Sequence, residues 1–201
     1  MNGFRLLESV SFDEEVKDHQ FNQYVTPIVG VWYESNQVLG QVHAYRIDMG
    51  AVLENGGHDL LKAVLEQDEE LLSLYYMITD SNTEGYDFWY PSSSAKDQLP
   101  GFDNPEWQIT YIKLLKVDNN FRGKKLGHRI MSELEKGLEN TNSILLHSCP
   151  QEGPVAQENI IGLNRYYERM GFNELEPCSD LMIKTRSGFA NQLETESQLS
   201  A

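Results

Sequence analysis

Basic side chains are scarce in this chain. Lys and Arg number 16 against 31 Asp and Glu, for a formal net charge of −15. A surface of that sign repels phosphate backbones, which argues against direct nucleic-acid binding. It attracts cations instead, such as polyamines, small amines and basic proteins. Cysteine is nearly absent: Cys149 and Cys178 are the only two. They lie far apart and lack metal-ligand spacing, the usage of reduced thiols in a cytoplasmic protein, so no metal site and no activated thiol is expected. No apolar run approaches the roughly 20 residues of a membrane helix. The start, Met1-Asn2-Gly3-Phe4-Arg5, has no basic segment followed by an apolar stretch and reads as no secretory leader. No internal repeat is visible.

The chain has 201 residues, 40% of them hydrophobic, which suits a single domain over residues 1–185. The polar tail, 186–201, reads as disordered. Residues 1–24 predict a first strand and a short helix. Ile28, Val29, Val31, Trp32 and Tyr33, a turn at Ser35-Asn36, and the run Gln37 to Ile47 predict an antiparallel hairpin. Gly56-Gly57 reads as punctuation, and Leu60, Leu61, Val64, Leu65, Leu71 and Leu72 predict one helix over 58–73. Residues 80–106 read as a long loop whose aromatics, together with Trp107, either line a binding face or pack the loop down. Gln108 to Val117 predicts a strand, with a helix following from about Lys124. Ser143 to His147 predicts a short buried strand, Glu158 to Met170 a helix stopped by Gly171, and Leu181 to Lys184 a last strand. The alternation implies an α/β layered fold.

Chemistry concentrates in Leu115-Lys116-Val117-Asp118-Asn119-Asn120-Phe121-Arg122-Gly123-Lys124-Lys125-Leu126-Gly127-His128. A strand ends, a glycine-containing turn follows, and an amphipathic helix starts. A helix's first turn has unsatisfied N–H groups and the positive end of its dipole, so this is an anion cradle. Arg122, Lys124, Lys125, His128 and Arg129 form a basic island in an acidic chain, and a pyrophosphate is its natural guest. The glycine–lysine–serine/threonine pattern of a Walker loop is missing.

Phe121 to Gly127 resembles the coenzyme-A loop of GNAT acetyltransferases, Arg/Gln-x-x-Gly-x-Gly/Ala. Further on, Leu163-Asn164-Arg165-Tyr166-Tyr167-Glu168-Arg169-Met170-Gly171-Phe172 resembles the late motif of that superfamily, a helix ending in Tyr-x-x-x-Gly-Phe. The match covers residues 108–184, and the earlier hairpin and helix look similar to a bacterial GNAT subgroup with an acidic mid-chain helix. One position departs: Lys125 stands where the family has glycine. Helical dihedrals, which lysine adopts freely, are expected there.

The resemblance implies a GNAT acyl-CoA N-acyltransferase fold, with a mixed central sheet flanked by helices, and acetyl-CoA as co-substrate without a metal. Backbone groups from Leu115 through Lys116 to Val117 would pair with the pantetheine arm, and a backbone N–H near Leu115 would polarise the acetyl carbonyl. The loop, Arg122 through Gly123, Lys124, Lys125, Leu126 and Gly127 to His128, would hold the pyrophosphate, with Asn159 and Asn164 as further candidates for the cofactor arm. Tyr167, four residues before Gly171, is the candidate general acid, with Tyr166 facing another side of the helix. The strand before the loop offers Lys113 and Lys116 but no carboxylate, so Glu106 and His147 are the candidate bases. The implied acceptor is a primary amine, on a small molecule or a basic protein, and a homodimer is left open. Two other readings stay open: an inactive GNAT-like module binding coenzyme A or a protein, and an acidic inhibitor acting by charge mimicry.

Overall fold

The computed structural model describes residues 3–8, 23–66, 68–78, 107–138, 141–148, 157–175 and 180–185. The 80–106 loop, Glu106, both cysteines and the 186–201 tail lie outside them. Seven strands form one sheet in the order β1-β2-β3-β4-β5-β7-β6. The strands are β1 (Gly3–Glu8), β2 (Val25–Glu34), β3 (Gln37–Asp48), β4 (Gln108–Val117), β5 (Ser143–His147), β6 (Asn173–Glu174) and β7 (Leu181–Thr185). All neighbours are antiparallel except β4 and β5. The expected hairpin is β2–β3, turned at Ser35 and Asn36, both with positive φ (48° and 68°). Two successive residues with positive φ match the right-handed twist of the strands they join.

The acidic mid-chain region differs from expectation. In place of one helix over 58–73 there are two, α1 (Met49–Leu65) and α2 (Glu69–Ile78). Asp48 starts α1 directly at the end of β3 by accepting a hydrogen bond from the Ala51 N–H at 2.9 Å. Gly56 and Gly57 therefore lie inside a helix, where each costs about 1 kcal/mol against alanine. The apolar stripe of Val52, Leu61, Val64 and Leu65 anchors that helix to the core and offsets the cost. Asp68 then opens α2, its carboxylate accepting from the Leu71 N–H at 3.2 Å.

Helices α3 (Leu126–Gly137) and α4 (Gln157–Glu168) follow in the C-terminal half. The sheet separates two apolar layers. Helices α1 and α2 pack with Tyr45, Ile47, Ile109, Tyr111 and Leu145 on one face, and Trp107 is fully buried there. On the other face α3 buries Leu126, Ile130, Met131 and Leu134 beside Leu138, and α4 adds Tyr167. Gly171 ends the α4 segment at φ 88° with its N–H on the Glu168 carbonyl, the left-handed turn that glycine adopts most easily. Phe172 then fills the core, and the two-residue strand β6, absent from the sequence reading, pairs with β7. No helix among the described residues is long and apolar enough to cross a membrane.

Candidate active site

The site begins with a strand that loses its neighbour. β4 pairs with β5 only from Ile109–Ser143 to Ile112–Leu146, while its pairing with β3 continues to Val117. At the point of parting, the β3–β4 register shifts between His43 and Ala44: His43 faces Leu114 and Ala44 faces Ile112. Lys113 is thus the extra residue of a β-bulge. A bulge bends its strand and re-phases its side chains. Ile112 faces the α3–α4 layer before it, and Leu115 and Val117 face that layer after it.

The resulting gap is a cleft of about 1040 Å³. Its walls are β4 from Ile112 to Val117, the loop and first turn of α3, the β5 residues Leu146 and His147, and the α4 residues Leu163, Tyr166 and Tyr167. Lys113, Lys116, Arg122, Lys125 and Arg169 line it, 5 of the chain's 16 basic residues, with His128 and His147 and, among the described residues, no carboxylate. Five basic side chains around one opening of an acidic protein focus a positive potential there.

The loop is built for that opening. Asp118 accepts from the Asn120 N–H in a one-turn 3-10 helix (Asn119–Phe121), and Arg122 Nε donates to the Val117 carbonyl at 3.3 Å, tying loop to strand. Gly123 has φ 75°. Lys125 corrects the sequence expectation: at φ 61°, ψ 19° it is left-handed, not helical. Sitting as N-cap of α3, it gives no side-chain hydrogen bond to the first turn, whose residues Leu126, Gly127 and His128 line the cleft. A non-glycine residue pays about 1–2 kcal/mol in this conformation. Lys125→Gly is therefore expected to stabilise the fold by about 1 kcal/mol, raising Tm by about 2–4 °C in thermal melts. An unchanged or lower Tm would show that the lysine side chain contributes more than its backbone costs.

At Gly127 the packing is close: a Cβ there would clash with the Tyr166 hydroxyl oxygen. Tyr166 therefore lines the same cleft as Tyr167, contrary to the expectation that it faces elsewhere; its ring is 5.0 Å from that of His128 and 5.2 Å from that of Tyr167. Tyr167 is only 8% exposed and packs on Phe172. Burial raises the Tyr166 pKa, and burial together with neighbouring Tyr166 raises that of Tyr167 further. Both phenols stay protonated through the physiological range.

The remaining candidates divide. His147 lines the cleft, with Nδ1 3.4 Å from an Asp180 carboxylate oxygen and its ring edge-on to Tyr111. Lys124 turns to the Phe121 ring at 4.7 Å and is not among the lining residues. Asn159 is exposed and also outside the lining. Asn164 is buried in a polar network, bonded to the Ser148 hydroxyl and donating to Glu174 Oε1 at 2.6 Å; it ties α4 to β5 and β6. Sequence reasoning gave no part to Lys113, Asp68 and Asp180. Lys113 Nζ donates to Asp68 Oδ2 at 2.8 Å, and the Tyr45 hydroxyl donates to the same oxygen at 3.0 Å. Burial pushes the Asp68 carboxyl up, but the Lys113 ammonium and the Leu71 and Tyr45 donors outweigh it and leave the pKa lowered. A lysine on a strand gives no signal of such a partner 45 positions earlier.

The residues present fit a nucleotide diphosphate with an extended arm. The uncapped helix start and the cationic lining suit phosphates, and His128 Nδ1 is buried without a hydrogen-bond partner among the described residues. The β4 edge beyond Ile112 offers backbone groups to a chain laid beside it. Among the described residues no cluster of three or more His, Cys, Asp or Glu side chains could hold a metal.

No protein-family model matches this chain, and no curated protein matches it. Its mixed seven-stranded sheet is flanked by helices and parts at β4–β5, the mixed central sheet with flanking helices that the sequence resemblance implies. Solved structures similar to it include a mutant agmatine N-acetyltransferase in its apo form. That pair shares 12% identity over 79% of this chain and 76% of the other, at a TM-score of 0.44. An acetyltransferase crystal structure has 16% identity over 78% and 69%, TM-score 0.36. NAA60 of Arabidopsis thaliana in complex with acetyl-CoA has 14% identity over 74% and 63%, TM-score 0.34.

Proposed function

We propose that this chain is a GNAT-type N-acetyltransferase that moves the acetyl group of acetyl-CoA to a primary amine of a cationic acceptor. The observation that carries the reading is the cleft where β4 leaves β5, lined by cations and closed at one end by an uncapped helix start. The first-turn amides from Leu126 to His128, with Arg122 and Lys125, would hold the pyrophosphate. The β4 edge from Leu115 to Val117 would pair with the pantetheine arm as an added strand. Acetyl-CoA supplies an activated acyl group, and the chain's own residues orient the reactants and move the protons.

His147, held by Asp180, is the base that takes the proton of the attacking amine. Tyr167 is the acid that protonates the departing sulfur; burial keeps the phenol protonated but also makes it a weaker acid, so the transfer relies on its hydroxyl being hydrogen-bonded to the sulfur in place. The net charge of −15 supports a cationic acceptor through long-range attraction. Calorimetric titration of the wild type and of Gly127→Glu with acetyl-CoA tests the cofactor step. The variant places a bulky anion against the Tyr166 hydroxyl and the helix start, so its affinity is expected to fall at least about tenfold. Equal affinity in both proteins would remove the loop from the binding site.

A second reading, a coenzyme-A-binding module without turnover, is favoured by one observation: β4, where the resemblance implies a glutamate base, carries Lys113 and Lys116 and no carboxylate. Amine-dependent release of free thiol by the wild type separates the two.

A further inference from the structure

At the apex of the gap, the last β4–β5 pair is Ile112–Leu146, so Lys113 and His147 are the first residue past it on each strand. Both line the cleft. Both turn toward the α1–α2 face: the Lys113 ammonium is 5.8 Å from the Tyr45 ring centre, and His147 lies against Tyr111. If the pantetheine arm follows β4 inward from the loop, its thioester arrives at this apex. The inference below rests on that acetyl-transfer reading.

Lys113 is itself a primary amine, the functional class the reaction acetylates. The other lysines lining the cleft, Lys116 and Lys125, are exposed, one on the outer stretch of β4 and one in the loop. An amine fixed beside a thioester reacts with a large effective concentration if it carries a lone pair. An ammonium has none. The Lys113 ammonium is paired at 2.8 Å with a carboxylate that is 7% exposed, and that carboxylate comes from the break between α1 and α2.

We propose that Lys113 is a latent self-acetylation site, and that Asp68 keeps it from reacting by holding its side chain as a paired ammonium. The blocked reaction is balanced acyl transfer. The neutral Lys113 nitrogen would add to the thioester carbonyl, an N–C bond would form as the C–S bond breaks, and the nitrogen's proton would pass to the leaving thiolate. The pair thus serves selectivity by reserving the acetyl group for an external amine. It also explains why the α1–α2 chain breaks where it does: Asp68 caps α2 and reaches Lys113 with one carboxylate.

The test is Asp68→Asn, whose side chain retains the capping acceptor for α2. Without the carboxylate, a partly buried lysine loses the charge that stabilises its protonated form, and each unit by which its pKa falls gives about tenfold more free amine. Wild type and variant are incubated with acetyl-CoA, binding is checked by calorimetry, and acetylated peptides are mapped by mass spectrometry. Acetyl on Lys113 at least about tenfold above wild type in the variant is expected, with Asp68→Asn/Lys113→Arg unmodified at that position. A variant that binds acetyl-CoA like the wild type but gains no acetyl on Lys113 overturns the proposal, as does a wild type acetylated there equally fast.

A wild type that fails to bind acetyl-CoA removes the acetyl-transfer reading and the self-acetylation with it, and the calorimetry identifies that case. Should Asp68→Asn not fold, acetic anhydride labelling of the wild type decides. Lys113 is expected to react at least about tenfold more slowly than Lys116 and Lys125. Equal reactivity overturns the guarding role.

Discussion

Tyr167→Phe is expected to lower turnover by about 10²-fold or more while acetyl-CoA affinity stays within about a factor of two. The substitution removes one hydroxyl and keeps the ring that packs on Phe172 and Tyr166, so core volume and cleft shape are preserved. A departing thiolate with a pKa near 8.5 must collect a proton, and burial keeps the Tyr167 phenol protonated at any ordinary pH; because burial also weakens it as an acid, donation depends on a hydrogen bond that places the hydroxyl on the sulfur. A hundredfold loss corresponds to about 2.7 kcal/mol of transition-state stabilisation, within reach of one positioned acid. Steady-state kinetics beside calorimetry separates the outcomes. A turnover loss of less than about threefold with binding intact would leave Tyr167 a packing residue and pass proton delivery to Tyr166 or water.

Lys113→Met is expected to destabilise the fold by about 2–3 kcal/mol near neutral pH. Methionine keeps most of the apolar stem and removes the charge that compensates Asp68. Breaking a fully buried pair costs about 3–5 kcal/mol, and the lower figure allows for a Lys113 side chain that is 25% exposed. The pH dependence follows from the same pair. The Asp68 pKa is lowered below 3.8 in the folded wild type, so its contribution is fully present above the unfolded value and is lost as pH falls through the folded one. Without Lys113, burial is no longer opposed by the ammonium, and the folded pKa is expected to rise. The penalty is then largest at neutral pH and shrinks as acid protonates Asp68. Urea midpoints of both proteins between about pH 7 and about pH 4 read this directly, and a penalty independent of pH would sever the link to Asp68.

Strands and helices of the C-terminal half were legible because their signals are local. Gln108 to Val117 and Ser143 to His147 are β-rich runs between breakers, and the α3 stripe of Leu126, Ile130, Met131 and Leu134 repeats at helical spacing. The paired glycines misled because a glycine's cost of about 1 kcal/mol is small beside the burial of four large side chains, a tertiary fact. The left-handed Lys125 was illegible for a related reason: lysine has no preference for that conformation, so only the turn around it dictates it. The loop and the late tyrosines could be named from their motifs, whereas the bulge at Lys113, its partner Asp68 and the His147–Asp180 contact depend on strand register and on residues distant in sequence.

The four-rung ladder between β4 and β5 also makes the sheet a pair of plates joined by a short hinge. Helix α3 rides on the plate of β1 to β4, and α4 rides with β6 on the plate of β5 to β7. Flexing along the hinge would widen or narrow the cleft without breaking any other strand pairing. A clasp crosses the divide where Lys184 of β7 meets Glu135 of α3 at 2.7 Å. Backbone hydrogen exchange should accordingly run faster at Ile109–Ile112 and Ser143–Leu146 than within either plate, and a guest gripping both plates should slow it at those rungs first. Cleft width in this molecule is then set along that seam, where the Lys184–Glu135 clasp and the two apolar layers hold the plates together.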